Sequence, residues 1–128
     1  MSRPGSIWRG GQCLWPRARI ADDALSRAWG LLGKHRLEPE QALWLTPCAG
    51  VHMWGMRFPL DLLWLDAHGR ILALREGLQP WRWAWPGQEG VVATVEAAAG
   101  SIERLGLAPG QDLEWRDAMA ADLPPLAV

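Results

Sequence analysis

The chain has 128 residues and a formal net charge of −1 with its histidines neutral, and it contains no block of like charge of the kind that binds nucleic acid or a membrane surface. No apolar stretch approaches the length of a membrane span, and the N-terminus lacks the apolar segment of a secretory signal. We therefore predict a cytoplasmic protein with no nucleic-acid partner, in which Cys13 and Cys48 are free thiols. We expect one domain over residues 1–116 and a frayed tail over residues 117–128.

Alternating and apolar stretches between Gly and Pro turn signals predict seven or eight strands. In chain order these strands cover residues 7–9, 12–15, 42–46, 51–57, 60–65, 70–75, 91–97 and 112–115. Gly10 and Gly11 suit the two-residue turn of a hairpin between the first two strands, and Pro16 is expected to end the second. Residues 79–90 are rich in Pro and Trp and are predicted to form an irregular loop.

Two helices accompany the predicted strands. The longer has Asp22 or Asp23 as its N-cap and runs to about residue 32, with its apolar residues in one stripe. The shorter covers residues 100–105 and ends at Gly106. One real helix among strands that are mostly joined by turns favours a mainly β fold, a compact antiparallel β-sandwich or barrel with the helix packed on it.

Four short motifs follow one another along the chain. They are Gly30-Leu31-Leu32, then His52 with Met56 and Pro59-Leu60-Asp61, then Asp66 with Gly69, then Ala99-Gly100 with Gly106, Gly110 and Asp112. Together they resemble the prokaryotic family known as domain of unknown function 192, over residues 17–116. The resemblance implies a single β-rich domain with helix caps, but no activity, because the family has no established one. Many members of that family are exported, and this chain departs from them in lacking a signal.

The central segment of the chain carries the polar groups that most need an explanation. If residues 51–57 form a strand, His52 lies on the same face as a tryptophan and a methionine. Such a histidine either contacts a ligand or is a core residue with a hydrogen-bond partner. Asp61 is predicted to share its strand face with Leu63 and Leu65. A carboxylate in that position needs backbone amides or an arginine as partners.

Two other interpretations of this segment remain open. Cys48, His52 and Asp61 fit the nucleophile, base and orienting group of a thiol-dependent hydrolase or transferase. Cys48, His52 and Met56 are soft ligands suited to copper(I) or zinc. No oxyanion-hole signature accompanies the first set, and no paired ligand spacing accompanies the second, so neither catalysis nor a bound metal is the leading expectation.

A second feature is the alternation of Trp81, Trp83 and Trp85 with Arg82. In an extended segment the three rings project to one side, where they would form a platform for sugars or bases, with Arg82 beside an anionic group. The alternative, which we favour because irregular Trp-rich loops commonly bury their rings, is a lid whose rings fold down onto the sheet.

The leading hypothesis is a non-catalytic β-domain that binds a small molecule or a protein partner without a cofactor. The site is expected where the segment around His52 and Asp61 meets the Trp-rich segment. The predicted binding residues are His52, Trp54, Met56, Asp61, Trp81 and Arg82, with Cys48 as the nucleophile of the enzymatic alternative.

Overall fold

The computed structural model describes residues 2–21, 37–47, 51–52, 58–80 and 82–119, with the backbone alone for Ser2, Val51, His52 and Trp83. These residues contain nine strands and one short helix. The strands are β1 (Ser2–Arg9), β2 (Gln12–Ala21), β3 (Gln41–Leu45), β4 (Val51–His52), β5 (Leu60–Leu65), β6 (Ile71–Leu78), β7 (Trp83–Ala84), β8 (Ala93–Ala98) and β9 (Glu114–Asp117), and the helix is α1 (Ser101–Leu105). The mainly β fold class is confirmed, and the longer predicted helix lies outside the described residues.

Seven of the strands form one sheet in the order β6-β5-β8-β3-β2-β1-β9, while β4 pairs with β7 in a separate ladder. β2 and β3 run parallel, with Ala18 opposite Ala42, so the prediction of a purely antiparallel sheet is wrong at this pair. A parallel pair needs a crossover connection of about a dozen residues or more. Residues 22–40 provide that connection.

The two edges of the sheet approach each other at one end. The amide of Ile71, at the start of β6, donates to the carbonyl of Gln111 at 2.9 Å, and the amide of Leu113 donates to the carbonyl of Gly69 at 2.9 Å. β6 and β9 are nevertheless the two edge strands of an open sheet. The sheet therefore curls like a barrel but does not close, so the predicted sandwich or barrel is confirmed only in part.

Two apolar clusters lie on opposite faces of this curled sheet. One contains Leu63 and Val95 from the central strands and is covered by Ile102 of α1. The other contains the alternate residues of the central strands, such as Leu62, and includes Ala84 of β7. We call these two surfaces the α1 face and the β4–β7 face.

The predicted hairpin of β1 and β2 is confirmed, but Pro16 does not end its second strand. β2 continues past Pro16 because the register slips at this point: Ile7 lies opposite Trp15, and Gly5 lies opposite Ala18. Two residues of β2 thus oppose one of β1, which defines a β-bulge. A bulge accepts proline because the missing N–H is not needed by the ladder.

Gly69 lies where the two sheet edges meet, and we expect its replacement by any larger residue to destabilise the fold. Its φ is +86°, and a Cβ built there would lie 2.3 Å from the carbonyl oxygen of Leu113. Gly110 has a similar φ of +93°, but a Cβ there would meet nothing within 4 Å. Gly69→Ala should therefore lower the free energy of unfolding by at least about 1.5 kcal/mol more than Gly110→Ala, in which only the backbone conformation is strained. Urea unfolding of both variants measures this difference, and equal losses would contradict the steric argument.

Candidate functional site

The ladder of β4 and β7 brings together two segments that the sequence singled out. Val51 lies opposite Ala84, and His52 lies opposite Trp83. Ala84 is 5% exposed and belongs to the apolar cluster of the β4–β7 face, so the ladder packs over that face. The predicted irregular loop of residues 79–90 therefore contains a strand, and the backbone of His52 lies beside the Trp-rich segment.

Several predicted site residues lie outside the described part of the chain. They are Cys48, Trp54, Met56 and Trp81, and His52 is described by its backbone alone. The thiol and soft-metal interpretations consequently remain predictions. Within the described ranges, no group of three or more His, Cys, Asp or Glu side chains is placed to hold a metal ion.

Asp61 is buried on the α1 face, as its predicted alternation with Leu63 requires, and is 1% exposed. Its Oδ1 accepts the amide of Gly77 at 2.9 Å. Its Oδ2 accepts the amides of Gly100 at 3.0 Å and Ile102 at 2.9 Å. Three backbone donors compensate the burial of a carboxylate, so of the two kinds of partner that the sequence allowed, the structure shows backbone amides.

The three amides are available to Asp61 because they lie in irregular backbone, where no strand or helix partner uses them. The pairing of β5 with β6 slips between Leu60 and Leu62, and this bulge leaves the amide of Gly77 outside the regular ladder. The amide of Ile102 belongs to the first turn of α1, where amides have no partner within the helix. Asp61 therefore joins β5, β6 and α1, and points away from the β4–β7 face. This placement separates its carboxylate from the segment around His52 and gives it a structural role.

Glu96 is the acidic residue that β8 places on the opposite, β4–β7 face. It is 8% exposed, with Leu43 of β3 and Leu62 of β5 as its register partners. No hydrogen-bond or ion-pair partner for its carboxyl group occurs among the described residues. Burial raises the pKa of Glu96 from 4.5 to about 7, because an apolar environment disfavours the charged form.

A second buried polar group without a partner lies nearby on the same face. Trp64 is 3% exposed, and its Nε1 has no hydrogen-bond partner in the described part of the structure. Trp64 is opposite Thr94, whereas Leu62 is opposite Glu96, so Trp64 and Glu96 are diagonal neighbours, with about 7–8 Å between such positions. An apolar surface with a few unpaired polar groups is typical of a small-molecule site.

Sequence reasoning missed Glu96, although the sequence held a signal. A single carboxylate stands between Val95 and Ala97 in a predicted strand, which is the pattern that drew attention to Asp61. The pattern identifies a buried acid but not its partners. Only the pairing of β8 on both sides shows that regular ladders surround Glu96.

Arg82 and Trp85 lie at the surface of the Trp-rich segment. Trp85 is 65% exposed, so the alternative in which all three rings fold down as a lid is wrong for this ring. Arg82 is exposed, and its amide donates to the carbonyl of Gln79 at 3.3 Å. Both side chains therefore flank the ladder and do not enter the apolar layer.

A groove of about 780 Å³ along β1, β2 and β9 is a competing surface, and its lining includes Trp8, Cys13 and Arg17. Arg17 forms an ion pair with Glu40, and Arg116 stacks 4.0 Å from the centroid of the Trp8 ring. Burial raises the pKa of Cys13, against a smaller lowering by Arg116, so this thiol is a weak nucleophile. These partnered groups make the groove the weaker candidate.

The fold and the site define a mainly β domain with a buried acidic residue on each face of its curled sheet. Asp61, on the α1 face, accepts three backbone amides. Glu96, on the β4–β7 face, has no partner among the described residues. The chain belongs to the family of domain of unknown function 192, described as an uncharacterized ACR, whose model matches residues 6–115. The resemblance drawn from the sequence motifs is thereby confirmed. No curated protein matches the sequence significantly.

Two solved structures are similar to this chain. A protein of unknown function from Novosphingobium aromaticivorans DSM 12444 superposes with a TM-score of 0.74 and 23% identity, covering 88% of this chain and 84% of that one. A proposed transcription regulator from Sinorhizobium meliloti 1021 gives a TM-score of 0.72 and 24% identity, covering 90% of this chain and 94% of that one. At these identities the similarity establishes the fold alone. In the described part of the chain, no helix is both long and apolar enough to cross a membrane.

Proposed function

We propose that the protein is a non-catalytic domain that binds a small organic molecule between the β4–β7 face of the sheet and the ladder above it. The observation that carries the proposal is the carboxyl group of Glu96, which is 8% exposed and has no partner among the described residues. Burying such a group costs several kcal/mol unless something compensates it. A bound molecule would supply the missing partner.

The depth of Glu96 favours a small molecule over a protein partner. Its strand, β8, lies between β3 and β5 within the sheet, and Ala84 packs in the apolar cluster on the same face. A protein surface would have to displace the ladder to reach the carboxyl group, whereas a small molecule needs only local room between the sheet and the ladder. The Sinorhizobium structure is described as that of a proposed transcription regulator, but the net charge of −1 in this chain gives no support to DNA binding.

Thermal unfolding of the full chain tests whether any small molecule binds. We would follow the melt by far-UV circular dichroism with a panel of amines, carboxylates, sugars and nucleotides, and separately with zinc, copper(I) and a chelator. A molecule that binds only the folded state raises its stability by about 2.7 kcal/mol at 100 times its Kd. We expect at least one organic compound to raise the midpoint. A rise with metal alone would support the soft-metal alternative and contradict the proposal.

Amide chemical-shift mapping then tests where the molecule binds. We expect the largest shifts at Val51, Ala84 and the amides next to Glu96, with the groove residues Trp8 and Cys13 as the internal control. If the groove amides shift while those of the ladder do not, the proposed site is wrong. If no compound of the panel binds, the proposed function is contradicted.

A further inference from the structure

We infer that the molecule is a primary amine whose ammonium group pairs with Glu96, which makes Glu96 the specificity-determining residue of the site. This inference rests on the proposed function and names the ligand class of the same site. It follows from the apolar surroundings of the carboxyl group and from the lack of a hydrogen-bond or ion-pair partner for it among the described residues.

Among the described residues, the side chains directly opposite Glu96 offer it no donor. Leu43 and Leu62 are its register partners on either side, and neither side chain has a polar atom. β8 pairs with β3 on one side and with β5 on the other, so the backbone amides on both sides are used by regular ladders.

Asp61 shows what this fold provides when a buried carboxylate is compensated from within. Its side chain is only 1% exposed, and its carboxylate accepts three backbone amides. These amides lack a partner within the sheet or helix because they lie at a bulge and at the start of α1. In the register around Glu96, neither the β3 pairing nor the β5 pairing shows a slip. The two acids thus have similar burial but opposite supplies of donors.

The chemistry of an unpaired buried carboxyl group selects a cation over a neutral donor. A charge-assisted hydrogen bond is roughly twice as strong as a neutral one, and anionic ligands would be repelled. The indole Nε1 of Trp64, a donor without an acceptor in the described structure, favours a ligand that also carries a hydroxyl or carbonyl oxygen. The flanking leucines require an apolar body.

Three matched probes isolate the charge of the ligand. Tyramine, tyrosol and 4-hydroxyphenylacetate share a phenol ring and end in an ammonium, a hydroxyl and a carboxylate group, respectively. We expect tyramine to raise the unfolding midpoint most, tyrosol less and 4-hydroxyphenylacetate not at all. Hexylamine, hexanol and hexanoate repeat the comparison without the phenol. If neither amine exceeds both its alcohol and its acid, the inference is overturned.

The variant Glu96→Gln keeps the size of the side chain and removes its charge. We expect at least a tenfold weaker affinity for the amine and an unchanged affinity for the alcohol, each measured by calorimetric titration. Glu103→Gln, which changes an exposed glutamate on α1, is the control and should bind tyramine like the unmodified chain. Unchanged amine affinity in Glu96→Gln would overturn the inference.

A direct readout separates this inference from the proposed function. The carboxyl ¹³C resonance of Glu96 should move toward its ionised position when tyramine is added, because the ammonium group stabilises the carboxylate. If a neutral compound instead shifts the amides of the β4–β7 ladder equally in the unmodified chain and in Glu96→Gln, the proposed function stands and the inference fails. If neither these probes nor any compound of the wider panel shifts those amides, both fail.

Discussion

Asp61→Ala is expected to lower the free energy of unfolding at neutral pH by about 3–5 kcal/mol. The side chain is 1% exposed, and its loss removes the acceptors of three amides, those of Gly77, Gly100 and Ile102. A buried donor without an acceptor destabilises a fold by about 1–3 kcal/mol, and water reaching the more exposed amides moderates the total. Urea unfolding followed by circular dichroism measures the loss.

Asp66 provides the matched control for this prediction. Its Oδ1 also accepts two amides, those of His68 at 2.8 Å and Arg70 at 3.0 Å, in the exposed turn between β5 and β6. Water replaces the lost acceptor at this site, so Asp66→Ala should destabilise the chain clearly less than Asp61→Ala. If the two variants had equal free energies of unfolding, burial would not be the reason why the hydrogen bonds of Asp61 stabilise the fold.

The features that sequence predicted correctly are those that a local pattern determines. Alternation assigned Asp61 to the same face as Leu63 and identified it as a buried carboxylate in need of partners. Gly10 and Gly11 located the first turn, and Gly106 located the end of α1, where its φ is 61°. In each case the residues that carry the information are neighbours in the chain.

The features that sequence missed depend on contacts between distant segments. The parallel pairing of β2 with β3 follows from a crossover, and the meeting of Gly69 with Leu113 joins the two edges of the sheet. Pro16 is tolerated because the register slips opposite it, which is a property of the pair and not of one strand. Periodicity within a single strand contains none of this information.

The same distinction explains the result for the candidate site. The juxtaposition of the segment around His52 with the Trp-rich segment is shown for the backbone, with His52 opposite Trp83. Asp61 was grouped with them because it is near in sequence, but strand alternation places it on the other face. Glu96 is distant in sequence, and β-sheet pairing brings it to the face that the ladder covers. A site formed by one sheet face therefore combines residues that are far apart in the chain.

Glu96→Gln is expected to change the pH dependence of stability. The pKa of Glu96 is about 7 in the folded chain, against an ordinary value of 4.5. Well below pH 4.5 both states hold the proton, so the ionisation of Glu96 does not change stability with pH there. As the pH rises toward 7, the unfolded chain loses this proton first, so the folded state is progressively destabilised, by about 3 kcal/mol once both states are ionised.

Glutamine does not ionise, so the variant should lack this loss. Its free energy of unfolding relative to the unmodified chain should rise by about 3 kcal/mol between acidic and mildly alkaline pH. Urea unfolding of both chains across that range measures the change, and their difference cancels the titration of groups they share. His52 is the titratable residue on β4, so the comparison is repeated in a His52→Asn background. A difference that stays constant with pH, or that disappears without His52, would contradict the assignment of the titration to Glu96.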